Sequence, residues 1–218
     1  MLPSSAVPKP IRRREKGTRT RAEIVAAAEI LFATRGYEAT RVEDIATQVG
    51  IRRAAIFYHF GDKQELYTAV LDEIFGDWTA ALPTGGSAVE RLEASLLGWI
   101  DYIARRPTVA RLILREAASA QPGMVSQFVR SGSATVEWFR SVIDEGTASG
   151  ELRPLIEPHR FMSLTGAMTV FHFAAIPWLA QGAATPSWGQ DEIEQHKREV
   201  LLVVRTMLGI ERCRGGSG

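Results

Sequence analysis

A single glycine, Gly50, separates two short apolar patterns, and the corner it sets limits what the chain around it can become. Ahead of it Val42, Ile45, Ala46 and Val49 recur at three- and four-residue steps, which predicts a short helix with one buried stripe. Thr40 and Glu43 have the spacing of a capping box, so that helix is expected to start near Arg41. Gly50 supplies the left-handed backbone that ends it, and Ile51 plugs the angle that follows. A second helix is expected over Arg52–Phe60, with Ile56 and Phe60 as an inward i, i+4 pair. Arg52, Arg53, Ala54, Ala55 and Tyr58 are left facing outward.

Two helices meeting steeply through a glycine turn, the second presenting arginines beside small residues, have the form of a helix-turn-helix that reads DNA. The major groove admits a helix whose N-terminal residues reach base edges. Ala54 and Ala55 let the backbone approach, and Arg52 and Arg53 offer forked donors to guanine or phosphate. The plainer account of the same residues is a solvated arginine pair on a helix whose other face is ordinary core.

Net charge over 218 residues is only +1, so total charge says nothing about nucleic acid. Its distribution says more. Lys9, Arg12, Arg13, Arg14, Lys16, Arg19 and Arg21 stand against the single acid Glu15 in the first 21 residues, leaving the remainder acidic. With Pro3, Pro8 and Pro10 and little to bury, residues 1–18 are expected to be a flexible basic arm, either an idle tail or a source of contacts to DNA phosphates or a minor groove through Arg12–Arg14, Arg19 and Arg21. The lone Cys213 excludes an intramolecular disulfide, and no Cys/His spacing suggests a metal. Gly166–Ala180, the most apolar stretch, is interrupted by His172 and Pro177 and is shorter than the roughly 20 residues that span a bilayer. No apolar leader follows the N-terminal charges, and a cytoplasmic protein is expected.

The run T-x-V-E-D-I-A-x-x-x-G-I-x-R-x-A-I-F-Y-H-F-x-x-K-x-x-L, from Thr40 to Leu66, resembles the DNA-binding signature of TetR-type (tetracycline-repressor-like) transcriptional regulators, and Ile24–Gly36 is similar to the helix that precedes it there. The resemblance covers about the first 70 residues. It implies phosphate contacts from Thr40 or Arg41, base or phosphate contacts from Arg52, Arg53 and Ala54, and phosphate contacts from Phe57, Tyr58, His59 and Lys63. Three residues depart from the family pattern. Arg41 replaces a usual Ser or Thr, Arg52 stands where a small hydroxyl residue commonly caps the recognition helix, and Phe57 replaces Tyr and has no hydroxyl to donate.

The rest of the chain reads as helical throughout, so the fold class is all-α. Helices are expected over Thr20–Arg35, from Asp62 as N-cap to the break at Pro83–Gly86, and over Ser87–Arg106, Pro107–Ala120, Met124–Ser149, Pro158–Leu179 and Gln190–Leu208. The expected organisation is an arm (1–18), a helix-turn-helix domain with a linking helix (19–82, motif 41–60), a helical effector-binding and dimerisation domain (87–210) and a disordered tail (211–218). The linking helix would act as a lever between the two domains.

Trp78, Trp99, Tyr102, Phe128, Trp138, Phe139, Phe173 and Trp178, with Met124 and Met162 as adaptable filler, could line an apolar cavity or simply fill core. His172 is either a core histidine or a ligand contact. The resemblance implies an effector pocket here and a homodimer through the last two helices, with Phe161, Met168, Phe171, Leu201 and Val204 near the interface. The expected function is a ligand-responsive repressor on a palindromic operator, released by a small, largely apolar effector. The alternative is a helical carrier or interaction module without DNA. No phosphate loop, nucleophile elbow or HExxH motif occurs, so no catalytic residue, cofactor or metal is expected.

Overall fold

The structure of the protein, a computed structural model, describes the backbone of residues 11–119, 129–181 and 188–210 and the side chains of 17–118, 129–175 and 188–210. All regular structure among the described residues is helical. The helices are α1 (Ile11–Arg35), α2 (Val42–Val49), α3 (Arg53–His59), α4 (Lys63–Ala80), α5 (Ala88–Arg105), α6 (Pro107–Ser119), α7 (Ser133–Ser149), α8 (Pro158–Gln181) and α9 (Gln190–Met207). None is long and apolar enough to cross a membrane.

The chain divides into two compact units, Met1–Val70 and Leu71–Gly218. The division falls inside α4 and not at Pro83–Gly86, where composition alone places it. The second half of α4 is therefore built into the second unit: Trp78 meets Trp99 edge-on at 5.1 Å, and Ile74 offers its carbonyl to the Tyr102 hydroxyl at 3.4 Å.

In the first unit, α1 buries Ile24, Val25, Ala28, Leu31 and Phe32. Phe32 and Tyr37 both pack edge-on against Tyr67 of α4, with ring centroids 5.1 Å apart in each pair. The helix starts at Ile11, well before the expected Thr20. Arg, Lys and Glu are good helix formers once Pro10 is passed, and an i, i+4 ion pair, Arg19 to Glu23 at 2.9 Å, supports the segment. Residues 11–18 of the expected flexible arm are thus helical, while residues 1–10, the side chains of Arg12–Arg14 and the tail from 211 lie outside the described residues.

In the second unit, α5 begins with a capping box: Ser87 Oγ accepts from the Glu90 amide at 3.2 Å, and Glu90 Oε2 accepts from the Ser87 amide at 2.9 Å. The helix expected over Met124–Ser149 is broken at Gly132, so α7 starts only at Ser133. Gly146 of α7 lies tight against its neighbours; a Cβ there would lie 2.6 Å from Ala88 Cβ and 2.6 Å from Leu152 Cδ1. Arg205 of α9 grips Glu93 of α5 through two bonds of 2.7 and 3.0 Å, and Lys197 bridges Asp101 at 2.8 Å. At the end of α9 the main chain doubles as a strap. The Arg153 amide donates to the Leu208 carbonyl at 2.9 Å and the Leu155 amide to the Met207 carbonyl at 2.8 Å. Gly209, at φ 63°, lies so close to the Arg153 backbone that no side chain fits.

Candidate nucleic-acid interface and ligand cavity

The corner at Gly50 forms as its sequence demands. Gly50 sits at φ 75°, ψ 32°, and the Ile51 amide reaches back to the Ala46 carbonyl at 2.9 Å, the long closing bond of a glycine-terminated helix. Val42, Ile45 and Ala46 bury one side of α2, and Ile56 and Phe60 turn the inner side of α3 into the core. Those anchors leave Arg52, Arg53, Ala54, Phe57 and Tyr58 on the outside, with Tyr58 81% exposed.

The start of α2 differs from the expected capping box. Thr40 is only 1% exposed, and its hydroxyl donates to the carbonyls of Gly36 at 2.7 Å and Leu31 at 3.2 Å. It braces α1 against α2 from inside and cannot reach a phosphate, so it leaves the set of candidate contacts. Arg41 is the N-cap; its amide donates to Asp44 Oδ2 at 3.3 Å, and the reverse bond is missing because a guanidinium has no acceptor. Asp44 also takes Arg35 at 3.0 Å. The Arg41 side chain stays exposed and makes no ion pair among the described residues.

Arg52, the N-cap of α3, makes no side-chain capping bond, as its replacement of a hydroxyl residue implies, and it too is exposed without an ion pair among the described residues. Arg53 is different. Its Nη1 lies 2.8 Å from Glu43 Oε1 on α2, and its guanidinium sits over the Phe57 ring at 5.0 Å. His59 is half-buried, edge-on to Tyr58 at 5.2 Å. Lys63 is turned back: its ammonium lies over the Tyr37 ring at 4.2 Å and donates to the Glu38 carbonyl at 3.4 Å. Burial pulls its pKa below the ordinary lysine value, with the Glu38 charge opposing. Arg21 of α1 lies over the Phe60 ring at 4.8 Å.

The second unit holds a cavity of about 520 Å³. Trp78, Trp99, Phe139 and Met162, expected from sequence, line it. Tyr102 does not; it stacks on the outer side of Trp99 at 5.8 Å and meets Arg106 Nη1 through its hydroxyl at 2.8 Å. Trp138 packs edge-on to Phe139 outside the wall. His172 and Phe173 face α9 and the residues just before it, where His172 stacks on His196 of α9 and on Trp188 ahead of it. Met124, Phe128 and the side chain of Trp178 lie outside the described residues. Sequence reasoning missed Phe75, Leu114, Val129, Val136, Gly166 and Phe171 on the wall. A signal was present in α8, where Ser163, Gly166 and Ala167 place small residues on one face of an otherwise bulky helix and open a groove. The polar side chains on the wall are Thr135, Ser163 and Thr165; Thr135 shares a hydrogen bond with Thr79 at 2.8 Å, and Thr165 donates to the Phe161 carbonyl at 2.9 Å. Among the described residues no charged side chain lines it, and no group of three or more His, Cys, Asp or Glu could hold a metal.

Of the residues expected near a subunit interface, Phe161 and Val204 are buried in the chain's own core and are not available to a partner, Met168 and Leu201 are half-buried, and Phe171 is exposed.

A helix pair turning through Gly50 with an outward basic face, carried by a chain whose larger unit holds an apolar cavity, has the form of the helix-turn-helix regulators. The sequence pattern described as "Bacterial regulatory proteins, tetR family" matches residues 24–70, and that of "Tetracyclin repressor-like, C-terminal domain" matches residues 85–172. The chain belongs to the TetR family and is a DNA-binding transcriptional regulator. It is 29% identical over 142 residues to the transcriptional repressor KstR2 of Mycolicibacterium smegmatis, covering 62% of this chain and 68% of that one. It is 31% identical over 111 residues to the transcriptional activator FasR of the same organism, covering 49% and 51%. A tetR-family regulatory protein from Rhodococcus RHA1 shares the fold, with a TM-score of 0.69, 22% identity and coverage of 89% of this chain and 99% of that chain.

Proposed function

We propose that the protein is a homodimeric repressor that holds a palindromic operator through α3 and releases it when a small, largely apolar effector fills the cavity of the second unit. The observation that carries the DNA side is the outward face of α3, with Arg52, Arg53 and Tyr58 exposed beside the small Ala54. Arg41, which has no ion pair among the described residues, adds a cation at the start of α2, and Phe57, His59 and Lys63 complete the set of proposed contacts. An uncharged, tryptophan-walled cavity favours an aromatic or acyl effector. Phe75 and Trp78 of α4 form part of that wall, while Lys63 opens the same helix, which supports α4 as the route by which occupancy would be felt. KstR2 is a repressor and FasR an activator, and occupancy of a promoter favours the first reading. Leu164 and Phe171 on α8 and Leu202 and Val203 on α9 are large, apolar and exposed, which supports a second copy as their cover.

The test is a salt titration of binding to fragments of the source genome. Affinity is expected to fall steeply as salt rises. Arg53→Ala should cost about 1–3 kcal/mol on the preferred site and little on random DNA. The absence of duplex binding even in dilute buffer would leave the alternative, a carrier that uses the same cavity without DNA. Sedimentation at the mass of one chain at micromolar concentration would remove the dimer from the reading.

A further inference from the structure

The two acids in the first turn of α2 have separate partners. Asp44 is spent inside the unit, on Arg35 and the Arg41 amide. Glu43 reaches across the corner to Arg53, the first residue of α3, and Phe57 lies one turn along α3 beneath the same guanidinium. Both members of the pair are solvent-exposed, with side chains 60% and 53% accessible for Arg53 and Glu43. An exposed ion pair contributes little to stability, so the fold gives no reason for this one. A carboxylate here is also unfavourable for attraction to a phosphate backbone. Its effect must lie in what it does to Arg53.

Contacted at one nitrogen and over its plane, the Arg53 guanidinium is biased toward one placement, whereas Arg52 next to it has no ion pair among the described residues to orient it. With Nη1 engaged by Glu43, the edge left open is Nε and Nη2, two parallel donors of the spacing that matches O6 and N7 of guanine. We propose that Glu43 is the specificity-setting partner of Arg53: it orients the guanidinium before DNA arrives and converts a general phosphate attractor into a guanine reader. Phe57, whose missing hydroxyl marks a departure from the family pattern, supplies the platform. The inference rests on the reading of α3 as the DNA-contacting helix. It predicts opposite movements in two quantities, because removing the carboxylate frees the arginine and also removes a negative charge from the DNA-facing side.

The experiment selects duplexes from a randomised library with the full-length wild-type protein, then repeats the selection with Glu43→Gln and Arg53→Ala. Affinities of all three are measured for the wild-type consensus duplex and a shuffled one. For Glu43→Gln the expected result is a guanine column relaxed by about tenfold in preference, other columns unchanged, and shuffled-duplex affinity raised severalfold. Glu43→Ser should behave in the same way. A purely structural role would lower both affinities together and would not move one column. A guanine column that stays sharp in Glu43→Gln while Arg53→Ala flattens it overturns the inference and spares the reading of α3. A consensus untouched by Arg53→Ala overturns both.

Discussion

His172 of α8 and His196 of α9 lie ring on ring, with centroids 3.9 Å apart and planes 15° from parallel. Trp188 covers one face of His172 at 4.8 Å, Phe173 closes the edge, and neither Nε2 has a hydrogen-bond partner among the described residues. Burial lowers the pKa of both rings; His196 falls from 6.5 to about 4, with the neighbouring His172 adding to the effect and Glu199 opposing it, while Glu199 and Glu192 oppose the shift of His172. A histidine depressed in the folded state stays neutral while the unfolded chain takes up a proton. The pair's contribution is therefore complete above about pH 6.5 and drains away as pH falls toward 4. Denaturant unfolding at a series of pH values should show a loss of about 2 kcal/mol across that window. His196→Phe, which keeps the stack and removes the proton site, should flatten the profile; an unchanged slope would show that other groups govern it.

Gly146→Ala should be among the more damaging one-methyl changes in the protein. The methyl has no space between Ala88 and Leu152, and Gly146 also offers its carbonyl to the Leu152 amide at 2.9 Å, so retreat of the backbone would strain that bond. Overpacking of this kind costs about 1–3 kcal/mol, against a helix-propensity gain of about 1 kcal/mol for replacing glycine. A melting temperature equal to or above that of the wild type would show that α7 can shift freely against its neighbours.

Gly166→Leu should do the opposite for stability while closing the cavity. A Cβ at Gly166 meets no atom within 4 Å, so the larger side chain enters empty space on the cavity wall. Trp78 and Trp99 lie on that wall, and an uncharged apolar dye such as Nile red is expected to quench tryptophan emission on binding. The variant should melt no lower than the parent and lose the quenching. Retained quenching at the parent's affinity would place the dye elsewhere.

What could be read from sequence was what depends on neighbours along the chain. The Val42, Ile45 and Ala46 stripe, the left-handed Gly50 and the Asp62 cap, whose carboxylate takes the Glu65 amide at 2.7 Å, are set within a few residues and were legible. Thr40 was misread because T-x-x-E is also the pattern of a threonine turned inward, and only the distant Leu31 carbonyl decides between them. The early start of α1 was hidden because a basic run looks alike in an arm and in a solvated helix. Trp99 and Trp138 are the same residue type on helices of similar character; which one faces a cavity depends on how α5, α7 and α8 cross, and no local pattern encodes that. The Glu43–Arg53 pair joins residues ten positions apart through the corner itself, so it became visible only with the corner's angle.

The strap between Arg153–Leu155 and Met207–Leu208 ties the entry to α8 and the exit from α9 to each other through two main-chain hydrogen bonds. The two bonds ask for no particular side chain at their own four positions, whereas any side chain placed at Gly209 would press on the Arg153 backbone and open the seam. That makes this corner a natural reference point: distance labels anchored there would report how far the other helices of the larger unit move against it.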